Sequence, residues 1–528
     1  MRLLQHTVRR QAERRPDALA LVFINSSMTY GELEERGNQV AHFLKAVGCV
    51  PGDRVGLLLP KSIQAVVGML GILKAGCIYV PMDTASPAAR LARIVQVCEP
   101  KCILSAGNTQ LLLHASLPDA AHSDIPIGWL GDNVPVGAGF PIAFTWNQLG
   151  LAPCTDAGCY SSPDDAAHIL FTSGSTGIPK GVVITHENAM SFLRWAVAYF
   201  RTEESDRISG HPPLHFDLST FDIWGTLMAG AELHLVPPDI SLLPHNIADF
   251  IRRNELTQWF SVPSVLRYMA QFDVVGFNDF PSLKRLLWCG EALPTPTLIH
   301  WMKRLPKVSF TNLYGPTEAT IASSFYTVPC CPEDDKSEVP IGTACDGEQL
   351  SVRDEALNPV APGEIGDLYI SGVGLSPGYW HDNEKTDSVF ISHPVEGRMY
   401  KTGDLARKGE DGLFYILGRA DSQIKSRGYR IELGEIETAL HALGVLQECA
   451  VVGVQTSGFE GTAICCAYVL RPGMEKSPAD LRHSLTGVLP SYMMPAQWMA
   501  MDSLPLNGNG KVDRPRLRER FMDISTAA

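Results

Sequence analysis

The sequence predicts an α/β protein in two parts: a large N-terminal domain of several subdomains built on βα-type sheets, then a small α+β domain. Three observations predict it. At 528 residues the chain is longer than one compact core serves. Its first half alternates short apolar runs with helical patterns, the mark of parallel βα units. Near Gly418 the Gly- and Pro-rich strand signals of residues 341–415 give way to a compact unit that is long enough to fold alone.

The elements follow in chain order. Leu4, Val8 and Ala12 stand at i, i+4 and i+8, which predicts an amphipathic first helix, stopped at Pro16-Asp17, in place of an Arg-rich transit peptide. Arg54–Pro60 reads as a buried strand, Ser62–Lys74 as a helix, and Ile78–Pro81, Cys102–Leu104 and Ala167–Phe171 as further strands. Residues 105–165, rich in Gly, Pro, Ser and Asp, read as loop-like, either an irregular connection or a variable excursion. Beyond Gly418, Leu433, Ile436, Leu440 and Leu443 fall at helical spacing, with Glu432, Glu435 and Glu437 on the polar side. The runs 450–454 and 464–470 read as strands. The expected domains are 1–418 and 419–528.

Composition excludes several function classes. Hydrophobic residues make up 45% and charged residues 19%, so disorder is not expected. A net charge of −13 argues against a nucleic-acid binder, which needs Lys and Arg in surplus. Thirteen cysteines without CxxC pairs or Cys/His spacing argue against zinc and for a reducing, cytoplasmic compartment. No apolar run approaches the length of a membrane span.

Chemistry concentrates first in Thr172-Ser173-Gly174-Ser175-Thr176-Gly177-Ile178-Pro179-Lys180-Gly181, directly after a strand. Glycines let backbone N–H groups turn toward an anion, and the hydroxyls and lysine add donors and charge, a combination suited to a polyphosphate. It is not a GxxxxGK[ST] loop, because Lys180 follows Gly174 by six residues and precedes Gly181.

This run resembles the phosphate-binding loop of the adenylate-forming superfamily, and other motifs follow in that family's order. Leu73–Pro81 is similar to its early structural motif, Asn312-Leu313-Tyr314-Gly315-Pro316-Thr317-Glu318 to its adenine and magnesium motif, and Gly363–Leu368 with Gly378-Tyr379-Trp380 to its next block. Tyr400-Lys401-Thr402-Gly403-Asp404 resembles the ribose motif, Gly418-Arg419-Ala420-Asp421 through Lys425 the hinge, and Leu504–Arg514 the C-terminal lysine motif.

The resemblance implies ATP and Mg²⁺ as cofactors and a mobile C-terminal domain. Attack of a substrate carboxylate on the α-phosphate of ATP would form a mixed anhydride and expel pyrophosphate, against anion repulsion. Thr172 and the loop through Lys180, with Asn312, Tyr314, Gly315, Thr317, Asp404, Arg419 and Lys511, would bind the nucleotide; Glu318 would hold Mg²⁺. Asp404 would accept bonds from the ribose hydroxyls, and Tyr314 would stack on adenine. Lys511 would bridge carboxylate and phosphate, making Lys511, Thr172 and Glu318 the catalytic set. After adenylation the small domain would swing about Asp421, withdraw Lys511 and present Lys425–Tyr429, and a thiol would displace AMP. One departure from the family is Ile416, where relatives often carry an aromatic; here Tyr415 stands one place earlier.

Phe216-Asp217-Leu218-Ser219 resembles the segment of amino-acid-activating members whose Asp pairs with the substrate ammonium. Alternatively Asp217 or Asp222 caps the following helix. The carried-over pocket is Asp217, Leu218, Phe221, Ser261, Leu287, Cys289, Leu313, Ile321 and Ala322 with Lys511, an apolar lining for a small neutral amino acid of the alanine, serine, cysteine or proline kind. No carrier segment follows Arg514, which suggests a free-standing enzyme of natural-product or cell-wall assembly serving a separate carrier protein with a phosphopantetheine arm. The alternative is an acyl- or aryl-CoA synthetase, for which Asp217 has no use.

Overall fold

A computed structural model describes residues 2–117, 125–135, 139–158, 161–174, 177–420, 423–456, 461–507 and 511–527, with only the backbone at 524–527. The first sheet forms where the βα rhythm placed it. Arg54–Leu58 lies between Ile78–Pro81 and Cys102–Ser105 and runs parallel to both, in register Arg54↔Ile78 and Val55↔Cys102. Ile78–Pro81 borders Ala166–Thr172, which turns back into an antiparallel partner, Lys180–Thr185, with Thr172 opposite Lys180. The phosphate-type run therefore joins two antiparallel strands, and its Thr172 and Lys180 face each other across the ladder.

The described residues between 105 and 165 hold more regular structure than their composition suggests. They supply the helix Gln110–Ser116 and two short strands, Ile127–Trp129 and Ile142–Thr145, which extend the same sheet at its edge. Strands of three and four residues are too short for alternation to stand out from a Gly- and Pro-rich background.

The helix Ile63–Lys74 starts at Ser62, whose hydroxyl accepts the Ala65 N–H at 3.2 Å. It packs on Tyr30–Ala46 through two glycines. A Cβ on Gly71 would lie 2.4 Å from Val40 Cγ1, and one on Gly37 2.6 Å from Leu70 Cδ2.

A second sheet carries Glu232–Leu235, Arg207–Gly210, Gln258–Ser261, Arg285–Cys289 and Ser309–Tyr314 as parallel neighbours. Val262, Gly290 and Gly315 each follow one of these strands at its C-terminal end, and all three line one cavity. That is where open α/β sheets place ligands. A third, antiparallel sheet holds Glu348–Arg353, Ile365–Gly372, Gly397–Lys408, Phe390–His393 and Phe414–Arg419, with Asp404 paired in register to Arg419.

The small domain is α+β. A hairpin, Gln423–Ser426 with Tyr429–Glu432, leads into the helix Leu433–Ala442, and Leu446–Gln455, Thr462–Leu470 and Gln497–Ala500 form a three-stranded sheet. One face of that sheet packs Val451, Cys466 and Tyr468 with Ile436 and Leu440, while the other packs Val452 and Cys465 with Leu517 and Phe521. Its paired cysteines thus go to opposite cores. No helix among the described residues is long and apolar enough to cross a membrane.

This packing makes stability testable at two positions. Gly71→Ala pushes a methyl into Val40 and should cost about 1–3 kcal/mol, read as a lower urea midpoint at unchanged slope. Glu348 accepts the Gly374 N–H at 2.6 Å, while its other oxygen is buried without a partner among the described residues. Burial pushes its carboxyl up to about 8 from 4.5, and the Gly374 bond offsets only part of that. The folded state therefore holds a proton that the unfolded chain releases. Stability from this group is full below pH 4.5 and declines as pH rises through about 8. Glu348→Gln should abolish that decline in denaturation curves taken on either side of the interval.

Candidate active site

A cavity of about 110 Å³ lies where the two parallel sheets, the third sheet and the small domain meet. The hairpin start contributes Thr172 and Ser173, the segment after Gly210 contributes His215 to Leu218, and the third sheet contributes Asp404 and Arg419. From the small domain come Lys425, Gly428, Tyr429, Arg430 and Tyr492.

The nucleotide-type residues form a bonded set. Asp404 accepts the Tyr314 hydroxyl at 2.5 Å and the Arg419 guanidinium at 2.8 Å. Burial, then the Asp404 charge, pushes the Tyr314 phenol far above its ordinary value, so it remains a donor. The Lys425 ammonium lies 5.4 Å above the Tyr314 ring. The buried Asn312 amide donates to the Pro340 carbonyl at 2.8 Å, and Asn312 does not line the cavity. Gly315 is required by crowding, since a Cβ there would meet Ala322 Cα at 2.5 Å.

Glu318 is fully buried, with one oxygen accepting the Tyr379 hydroxyl and the other the Arg430 guanidinium, each at 2.7 Å. Burial raises its pKa, but Arg430 and then Tyr379 outweigh it and hold the carboxyl below its usual value. Among the described residues no group of three or more His, Cys, Asp or Glu could hold a metal ion. A single carboxylate suits Mg²⁺ only with phosphate oxygens completing the shell, and here both of its oxygens are engaged. The residues fit the ion only with Arg430 withdrawn.

The small domain closes on the phosphate-type loop through further contacts. Lys180 pairs with Glu432 at 3.0 Å, Arg90 with Glu435 at 2.6 Å, and the Gly174 N–H donates to the other Glu435 oxygen at 3.2 Å. The Ser173 hydroxyl donates to the Arg430 carbonyl and accepts the Glu432 N–H. Gly177, at φ +79°, donates its N–H to the Gly174 carbonyl. Ser175, Thr176 and Asp421, the residue expected to be the hinge, lie outside the described residues.

Lys511 stands away from the cavity in this domain arrangement, the withdrawn position that the resemblance implies for the second step. It is exposed, its N–H donates to Asn507 Oδ1 at 3.1 Å, and it does not line the cavity. The ion pairs of Arg430, Glu432 and Glu435 hold the hairpin against the site, so this domain arrangement presents Lys425–Tyr429 and keeps the lysine motif away.

On the substrate side, Asp217 accepts the Thr317 hydroxyl at 2.7 Å. Burial raises its pKa and Thr317 offsets part of that. It caps nothing: the short helix Leu218–Thr220 has no side-chain cap bond, and Asp222 accepts the His211 N–H at 3.3 Å. Leu218, Cys289 and Ile321 line the cavity with it. Phe221, Leu287, Leu313 and Ala322 are buried in the same apolar cluster as those three. Ser261 is fully buried and its hydroxyl accepts the Trp259 indole N–H at 3.0 Å, so its polarity is spent inside the protein. Tyr415, the displaced aromatic, donates to Asp411 and is not in the lining.

Sequence reasoning missed Arg90, Tyr379 and Tyr492. Arg90 is an ordinary helix arginine until the fold sets it against Glu435, and Tyr379, though inside a recognised motif, carried no assigned role.

A mixed α/β fold with this cavity between a large and a small domain defines the adenylate-forming class. The chain belongs to the AMP-binding enzyme family: the AMP-binding enzyme profile matches residues 8–380, and the AMP-binding enzyme C-terminal domain matches 435–511. It is 34% identical over 519 residues to the L-proline:L-prolyl-carrier protein ligase of Pseudomonas fluorescens, covering 97% of this chain and 98% of that protein. It is 35% identical over 519 residues to the dimodular nonribosomal peptide synthase of Bacillus subtilis, covering 96% of this chain but 21% of that protein. Other large peptide synthases that it matches are longer still, and the chain spans as little as 6% of their length. The adenylation domain AlmE of Vibrio cholerae, solved with glycyl-adenosine-5'-phosphate, superposes with a TM-score of 0.85 at 26% identity over 98% of each chain.

Tyr314→Phe removes one charge-assisted bond to Asp404 and should cost about 1–3 kcal/mol, measured by urea unfolding. An unchanged midpoint would mean that Arg419 alone satisfies the carboxylate.

Proposed function

We propose that this protein adenylates a small neutral amino acid with ATP, releases pyrophosphate, and transfers the aminoacyl group to the phosphopantetheine thiol of a separate carrier protein. The observation that carries the reading is Asp217, a carboxylate on the wall of the cavity that also holds Thr172, Asp404 and Arg419. A buried carboxylate gains a partner when a substrate ammonium arrives, and burial already strains it toward protonation without one. An acyl- or aryl-CoA synthetase would have no cation to bring there.

In this mechanism Asp404 and Arg419 bind the ribose end of the nucleotide, and Thr172 through Lys180 meet the phosphates. Mg²⁺, when bound, neutralises phosphate charge beside Glu318. Lys511 offsets repulsion between carboxylate and α-phosphate when the small domain, residues 419–528, turns about Asp421 to bring it in. The present domain arrangement suits the second step, with the hairpin over the cavity. Leu218, Cys289 and Ile321 leave room for a short side chain and offer it no countercharge, which favours alanine-, serine-, cysteine- or proline-like substrates. The cytoplasm is the proposed compartment, on thirteen cysteines that the sequence carries without CxxC pairs.

The test is amino-acid-dependent exchange of labelled pyrophosphate into ATP across a full amino-acid panel. Exchange should peak with one or two small neutral amino acids. Lys511→Ala should lower it about 10²–10³-fold and Asp217→Ala should abolish amino-acid selectivity. Activity with simple carboxylic acids and none with amino acids would move the enzyme to the CoA-ligase alternative.

A further inference from the structure

One imidazole on the cavity wall has no part in the adenylation chemistry described above. His215 stands two residues before Asp217 and lines the same cavity. Its Nε2 is buried and has no hydrogen-bond partner among the described residues. A buried ring nitrogen left this way is uncommon and points to a missing water or ligand atom.

The ring is also wired to the small domain. His215 meets the edge of Phe216 at 5.1 Å, Phe216 meets Tyr429 edge-on at 4.8 Å, and Tyr429 stacks on Tyr492 at 3.7 Å. Tyr429 sits on the hairpin and Tyr492 on the short turn Ser491–Met493. The aromatic chain is therefore complete only with the small domain in this place, the arrangement that withdraws Lys511.

The charged and titratable groups facing His215 come from three segments of the large domain and from the small domain. Asp83 follows the strand Ile78–Pro81, Arg90 lies on the helix Ala88–Cys98, and Lys61 precedes the helix Ile63–Lys74. Tyr429 and Tyr492 face the cavity from the other side. Arg90 is committed to Glu435 at 2.6 Å, and the Lys61 ammonium donates to the carbonyls of Gly210 and His211. Burial lowers the imidazole's pKa; Asp83 pulls it up, and Arg90 and Lys61 reinforce burial. The net result is a neutral ring at neutral pH, able to accept a proton.

We propose that His215 is the general base of the transfer step, accepting on Nε2 the proton of the acceptor thiol. This rests on the adenylation-and-transfer reading above. Asp217 holds the substrate ammonium and so sets the carbonyl carbon of the aminoacyl adenylate in the same part of the cavity. As the S–H proton moves to Nε2, the sulfur forms its bond to that carbon. The bond from the carbon to the AMP phosphate oxygen breaks, AMP leaves with the electron pair, and the imidazolium returns its proton to solvent. A thiol with an ordinary pKa near 8.5 is mostly protonated at neutral pH, which is the barrier that a positioned base removes.

The experiment compares His215→Gln with the unaltered protein, measuring pyrophosphate exchange and aminoacyl transfer to pantetheine in the same samples. Transfer at neutral pH should fall about 10²-fold relative to exchange. With the more acidic trifluoroethanethiol as acceptor, which needs less help to ionise, the deficit should shrink to about threefold or less. Raising the pH should rescue the variant as the pantetheine thiol ionises, while the unaltered protein stays level from neutral pH upward.

An equal deficit with both thiols, or no deficit, would overturn the assignment, leaving at most a packing role. If the variant does not fold, the unaltered protein decides alone. Transfer rates that track the thiolate fraction of each acceptor at fixed pH exclude a base, and rates nearly independent of it support one. Exchange without transfer to any thiol removes the step and the proposal together but leaves adenylation standing. Absence of exchange removes the underlying reading.

Discussion

The ion pair of Glu318 and Arg430 is the constraint on which the rest of the site depends. A carboxylate with 1% exposure cannot remain charged without a partner, and here its partners are a guanidinium and a phenol, each at 2.7 Å. Removing one side of such a pair leaves an uncompensated buried charge at a cost of several kcal/mol. Because Glu318 belongs to the large domain and Arg430 to the hairpin of the small one, that cost is borne by the domain interface. The pairs Lys180–Glu432 and Arg90–Glu435 act in the same direction. The small domain is thus docked by charge on the phosphate-type loop, with the Phe216–Tyr429 ring contact beside it.

Polar docking of this kind is compatible with motion. Buried ion pairs return little net stability once desolvation is counted, so an interface built from them fixes geometry more than it contributes free energy. The apolar cores tell the same story. Val451, Cys466 and Ile436 close one cluster within the small domain, and Leu287, Phe260 and Trp224 belong to a cluster of the large one. Each domain keeps its own core, and what crosses between them is mostly charged or aromatic.

Much of this was legible in the chain. The βα rhythm located Arg54–Leu58, Ile78–Pro81 and Cys102–Ser105 because strands buried on both faces read as plain apolar runs. The density of glycines and hydroxyls marked the phosphate-type loop, and the motif order carried the family. Residues 105–165 were opaque because edge strands of three or four residues leave too short a pattern. For Asn312 and Ser261 the motif left the side-chain direction open. A motif gives the residue but not the direction of its side chain, and both turn inward, to Pro340 and Trp259.

The sequence by itself determined the class of fold, the family and the inventory of groups, because periodicity and local donor density are properties of neighbouring residues. It could not decide which of two lysines, Lys425 or Lys511, faces the cavity, since both stand in plausible motifs. That choice was made by contacts between residues far apart in the chain: Glu318 with Arg430, Lys180 with Glu432, Arg90 with Glu435. The same holds for His215, an unremarkable histidine in the sequence. The role proposed for it rests on burial and on the ring chain from Tyr492, and both exist only once the chain has folded.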